Sequence, residues 1–260
     1  MNQVEQVADK MGDHPALEWG ARLGYVASGI LHLLIAWIAV TMAQGHRGQN
    51  ADQAGAFATL VTKPLGGVLI VAMVIGLVAL GLWQLVEAIR AHEWTDRIKA
   101  GGKTLAYGSL AAPAISVLTH TASGNASAES TQSTTRTLLS LPAGFVLILI
   151  AAAVVVGVGG YHVYKGATRR FLRDLQKNPG RPAEIVGSVG YIAKGIALMV
   201  AGFVLGRAAI SGRSSDSRGL DGAFRAIAQA PLGQALLVIM AIGFACYAAY
   251  CVVRARHGRV

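Results

Sequence analysis

Six stretches of the chain run almost without charge: 17–43, 64–88, 104–120, 142–164, 185–206 and 231–253. Each has about the 17 to 25 residues that a helix rising 1.5 Å per residue needs to cross a hydrocarbon layer of ~30 Å. Unpaired backbone amides are too costly to expose to lipid, so stretches this long and this apolar are expected to be helices. The third is the weakest, because Pro113 falls mid-span, removes a backbone hydrogen bond and should kink the helix. The pattern predicts an all-α integral membrane protein of six transmembrane helices.

Composition agrees. With 53% apolar residues, 14% charged and a mean hydropathy of +0.49 over 260 residues, the chain does not resemble a soluble domain. The segment before Trp19 is polar, carries Glu5, Asp9, Asp13 and Glu18, and leads into a span too long for a signal-peptide core, so the first helix is expected to be retained. Cys246 and Cys251 lie five apart in the last span and point to different faces, which suggests neither a disulfide nor a metal site.

A net charge of +10 would suggest nucleic acid in a soluble protein, so its distribution decides the reading. Fifteen of the 23 Lys and Arg fall on one side of the predicted spans and seven on the other, with Lys194 inside a span. That asymmetry predicts a multi-pass protein of the bacterial inner membrane with both termini cytoplasmic. Anionic lipid headgroups at the cytoplasmic face are the expected partner, with other membrane proteins as further candidates and nucleic acid excluded.

The chain also repeats itself. At an offset of 166 to 167 residues, Gly24-Tyr25-Val26-Ala27-Ser28-Gly29 matches Gly190-Tyr191-Ile192-Ala193-Lys194-Gly195, Gly55-Ala56-Phe57 matches Gly222-Ala223-Phe224, and Pro64-Leu65-Gly66 matches Pro231-Leu232-Gly233. A diverged middle copy keeps the register through Ala106-Tyr107 and Pro142-Ala143-Gly144. Nineteen residues after each proline stands an aromatic: Trp83, Tyr161 and Tyr250. After a short segment 1–16, the repeats span 17–100, 101–180 and 181–256. Each proline is expected to open an even-numbered helix. Two spans per copy make successive copies parallel, unlike inverted transporter repeats, and predict three helical hairpins around a pseudo-threefold axis.

Gly-Tyr-x-Ala-x-Gly opening one helix, Pro-x-Gly opening the next, and repetition through six spans resemble the bacterial membrane proteins grouped as domain of unknown function 1206. The resemblance runs from about Trp19 to Arg256 and implies a fold and a location, with no reaction attached. The middle copy departs from it at Ala106 and Ala111, where the outer copies have glycine.

Several residues are candidates for more than structure. Small residues at four-residue spacing, Gly24 with Ser28, Ala153 with Gly157 and Gly202 with Gly206, are expected to pack helices closely or to form an oligomer face. Tyr25, Tyr107 and Tyr191 occupy one position in the three repeats. They belong either to an interfacial aromatic belt or to a ring narrowing a cavity on the axis. His32, mid-helix, has Ala114 and Leu198 as equivalents and is expected to be neutral and bonded to a neighbouring helix. Haem ligation is disfavoured, since His120 and His162 lie at other depths. Lys194, equivalent to Ser28, should snorkel or pair with Glu87. The amphipathic stretches 55–61 and 222–227 could lie on the outer membrane surface.

No nucleotide, zinc-protease or hydrolase motif and no pair of intramembrane acids is present, so neither a catalytic residue nor a cofactor or metal is expected. The leading expectation is a non-enzymatic accessory or scaffold for other membrane components. A small channel or transporter using the axis between the hairpins is the alternative, and a membrane enzyme or electron carrier ranks third.

Overall fold

Helices form over the apolar stretches. The computed structural model describes residues 15–46, 50–91, 93–119, 126–141, 143–176 and 179–258. These residues form nine α-helices: α1 (Pro15–Ala43), α2 (Gln53–Val61), α3 (Gly66–Arg90), α4 (Trp94–Leu118), α5 (Ala126–Leu139), α6 (Gly144–Ala167), α7 (Arg181–Ser211), α8 (Gly219–Ala228) and α9 (Gly233–His257). Five of them, α1, α3, α6, α7 and α9, are long and apolar enough to cross a membrane. The expected third span differs. Its helix begins ten residues early, takes in Asp96, Arg97, Lys99 and Lys103, and runs through Pro113 without ending.

The short helices α2, α5 and α8 lie one to a repeat, each ahead of the repeat's last helix. All three copies make the same turn there. Leu65, Ala143 and Leu232 adopt left-handed φ of 60°, 59° and 60°. The next glycine, Gly66, Gly144 or Gly233, donates its N–H to the carbonyl of Lys63, Leu141 or Ala230 at 2.9 Å. A Cβ on any of these glycines would strike carbonyls of the preceding short helix. The motif thus works differently from expectation: Pro64 and Pro231 sit in the turn, and the glycine starts the helix. Pro142 and His120 lie outside the described residues.

Around the bundle the long helices follow chain order. α1 packs on α3, α3 on α4, α6 on α7, α7 on α9, and α9 returns to α1. The seams are made at glycines. Gly24 of α1 meets Gly76 of α3, and its equivalent Gly190 of α7 meets Tyr247 of α9. Gly29 of α1 abuts the Ala248 carbonyl of α9, and its equivalent Gly195 of α7 abuts the Gly159 carbonyl of α6. The first glycine of the Gly-Tyr motif therefore joins a helix to its own repeat, and the last joins it to the repeat before.

The middle repeat lacks the first kind of seam. Ala106 stands where Gly24 and Gly190 stand, and Val154 of α6 stands where Gly76 and Gly243 stand. α4 and α6 make at most slight contact, so the ring is open at the hairpin expected to close it. Not every small-residue expectation holds. Gly202 is tightly placed against α6, Gly206 makes only an ordinary contact with Ala152, and Gly157 has open space beside it.

The end of the ring opposite the basic loops is capped. α2 and α8 do not lie on a surface: Phe57 and Phe224 are fully buried in one apolar core with Leu31, Ile38, Leu237 and Phe244. Polar groups lock the cap. Buried Asp221 accepts from Ala51 N, Arg218 Nε and Arg225 Nε, while Arg225 also donates to Asn50. Asp52 caps α2 through Gly55 N at 2.9 Å, and its second oxygen is buried without a hydrogen-bond partner. Burial, reinforced by the charge of Asp221, raises the Asp52 carboxyl from 3.8 to about 6 in spite of the Gly55 bond.

Two expectations follow. Gly24→Leu and Gly195→Leu should each cost about 1 to 3 kcal/mol and lower the Tm in detergent, because the added side chain meets backbone, whereas Gly157→Leu should be near neutral. Equal shifts at all three sites would contradict the assigned seams. Because the folded pKa of Asp52 lies above its unfolded value, its contribution to stability should grow as pH falls from 7 through 6 towards 4, by roughly 2 kcal/mol. Asp52→Asn, which keeps an acceptor for Gly55, should flatten that part of the pH–Tm profile.

Candidate functional site

The three equivalent tyrosines converge at the basic end of the ring. Tyr25 and Tyr191 are buried and Tyr107 is partly so; Tyr25 and Tyr107 share one apolar cluster with Trp83. The equivalents of Trp83 divide: Tyr250 is fully buried, while Tyr161 is 54% exposed on the outside. An interfacial belt therefore does not describe the inward-facing tyrosines.

Arg254 lies at the centre. α9 continues past the expected end of the last span, so this residue is on a helical turn rather than in a tail, and it is only 8% exposed. Its guanidinium lies over the Tyr25 ring, 4.4 Å from the centroid, and Nη2 donates to the Tyr25 hydroxyl at 3.1 Å. Nη2 is 3.9 Å from Asp174, and Nε is buried without a hydrogen-bond partner.

Asp174 ends a 3₁₀ turn, Arg170–Asp174, that plugs the basic end. Phe171 of this turn is fully buried between Tyr191 and Tyr250, with ring centroids 5.4 and 5.0 Å away, and its carbonyl accepts from the Tyr250 hydroxyl. Gln176 N donates to the His257 carbonyl, fixing the turn against the end of α9. Lys165 Nζ lies 2.6 Å from Asp174 and 5.3 Å from the Tyr191 centroid. Burial alone would raise the Asp174 carboxyl; Arg254 and Lys165 outweigh it and hold the group below its usual value.

Lys194 neither snorkels nor pairs with Glu87. Its ammonium lies 4.3 Å from the Tyr247 centroid, turned into the ring, whereas Glu87 is on α3, which does not pack on α7. His32 bonds its own helix rather than a neighbour: Nδ1 is 2.6 Å from the Ser28 carbonyl. The carbonyl can only accept, so Nδ1 carries the proton and Nε2 is the free acceptor. The ring also packs on Phe244 and Tyr247 of α9 at 5.8 and 4.6 Å. His162 lies 5.7 Å from Tyr191, and Lys103 is exposed on α4 one turn before Tyr107.

The site thus brings Arg254 and Lys165 to the partly buried carboxylate of Asp174, walled by tyrosines, with Lys194 over Tyr247 deeper in the ring and Lys103 exposed on α4. Sequence reading found the tyrosines, His32 and Lys194. It missed Arg254, Asp174, Lys165 and Lys103, although Tyr247, Tyr250 and Arg254 recur at helical spacing and continue the inward face of α9. Such a set suits binding a negative charge.

The family model described as Domain of Unknown Function (DUF1206) matches the chain three times, at residues 23–91, 98–169 and 189–258. The chain is similar to a Bacillus subtilis (strain 168) protein described as "Uncharacterized protein YxxB", 27% identical over 258 residues, which are 94% of this chain and 92% of the relative. No solved structure matches it.

A double-mutant cycle tests the placement of Lys194. Lys194→Met with Tyr247→Leu should show a coupling of about 1 to 2 kcal/mol, the value of a desolvated cation over an aromatic face. Lys194→Met with Glu87→Gln should be additive.

Proposed function

The chain belongs to the family described as domain of unknown function 1206, and we propose that it is a non-enzymatic binding protein of the bacterial cytoplasmic membrane that holds an anionic ligand at the basic end of its interior. The observation that carries this reading is Arg254, nearly inaccessible, with an unpartnered Nε, sharing the one carboxylate of Asp174 with Lys165. Two cations on one carboxylate leave a positive charge only partly compensated, which is costly when buried, and an anion in the ring would offset it.

In this reading α4 is the sixth span, packed along α3, and the basic end faces the cytoplasm by the positive-inside pattern. An open permeation path along the axis gains no support, because Leu31, Ile38, Phe57, Phe224 and Phe244 fill the far half of the interior. A second reading, a scaffold for other membrane components, draws on α6, of whose most apolar stretch only 22% is buried against 50% in α1 and α9.

Inorganic phosphate titrated into delipidated protein at constant ionic strength should raise the Tm by several degrees at saturation, since binding to the folded state alone stabilises it. Lys103→Gln should reduce the shift. No shift with phosphate, sulfate or acetate would overturn the anion site. Cysteines introduced at Ser214 and Gln176 check the orientation: an impermeant thiol reagent added outside cells should label the first and spare the second.

A further inference from the structure

The ring encloses this site on every side but one. α6 meets α7 through Ala152, Val156, Gly159, Val163 and Gly166. On the next strip of α6, His162 and Lys165 turn inward to Tyr191. Beyond them Val154, Val158 and Tyr161, spaced to line one helix face, are 58%, 43% and 54% exposed where α4 would have closed the ring. Across the gap α4 turns Tyr107 into the interior, with Lys103 on the same face one turn nearer the basic end.

The gap has a chemical gradient. At its basic end Lys165 and Arg254 meet at Asp174, with exposed Lys103 on the α4 side; towards the far end the exposed wall of α6 is aliphatic, with Val158, Val154, Ile150 and Leu147. At a membrane surface, this is the shape of an amphiphile: a charged head at the interface and a hydrocarbon tail along the slit. A soluble anion would need the cations but not the apolar wall. The substitutions that hold the slit open, Ala106 and Val154 in place of glycines, belong to the middle repeat alone among the three.

We propose that the slit between α4 and α6 binds one anionic phospholipid, its phosphate headgroup among Lys103, Lys165 and Arg254 and an acyl chain along Val158 and Val154. This rests on the anion-binding reading and names its ligand. Basic pockets between spans recognise phosphate headgroups in this way, and hydrocarbon contact adds affinity that free phosphate lacks.

Native mass spectrometry of protein equilibrated in neutral detergent with equimolar phosphatidylglycerol and phosphatidylcholine tests it. One phosphatidylglycerol should be retained, at least tenfold over phosphatidylcholine. Val154→Trp, placed in the open slit, and Lys103→Gln should each lower retention tenfold or more. Val154→Trp should keep the phosphate-induced rise in Tm, which shows that the variant is folded and its headgroup site intact. Equal retention of the two lipids, or full retention by Val154→Trp, would overturn the proposal. A phosphate-induced shift without lipid retention would refute the lipid and leave the soluble-anion site standing; neither response would refute both.

Discussion

Close approach of backbone at glycine is the constraint on which the rest of the structure depends. Lipid is as apolar as a leucine side chain, so helices in a bilayer gain little by hiding apolar surface from it, and dispersion across a tight seam must hold them together. The Gly-Tyr-x-Ala-x-Gly motif answers this with two contacts on one helix. Gly24 and Gly190 close their own hairpins, while Gly29 and Gly195 bind the preceding repeat. Gly29 against α9 is therefore the contact that brings the last helix back to the first.

In the ring the tyrosine of the motif turns inward in all three copies, including the middle one, where alanines replace both glycines. Tyr25, Tyr107 and Tyr191 thereby become the wall of an interior site, and the non-symmetric residues give that wall its charge. Lys194 replaces Ser28, and Arg254 and Asp174 meet only because the turn Arg170–Asp174 folds under α9. A symmetric scaffold thus carries an asymmetric site. The asymmetry extends to the middle repeat, where an alanine and a valine in place of two glycines leave one side unsealed.

The cap at the other end has a different logic. Its helices are held by buried phenylalanines and by Asp221 with its two arginines, so the interior is filled there. The proposed anion site occupies the half of the ring that the cap leaves unfilled.

The sequence by itself determined the helical class, the three repeats, the helix positions to within a turn at most ends, and the tyrosines and Lys194 as unusual residues. These follow from local rules: apolar length, glycine and proline at fixed spacing, and charge at the wrong depth. Only the tertiary structure decided which seams close, that Gly159 rather than Gly157 packs, that Lys194 faces Tyr247 rather than Glu87, and that Arg254 turns inward. Each of these depends on the rotation of one helix against another. A one-residue difference moves a side chain by 100° around the helix, so contacts between distant segments decide what spacing along one segment leaves open.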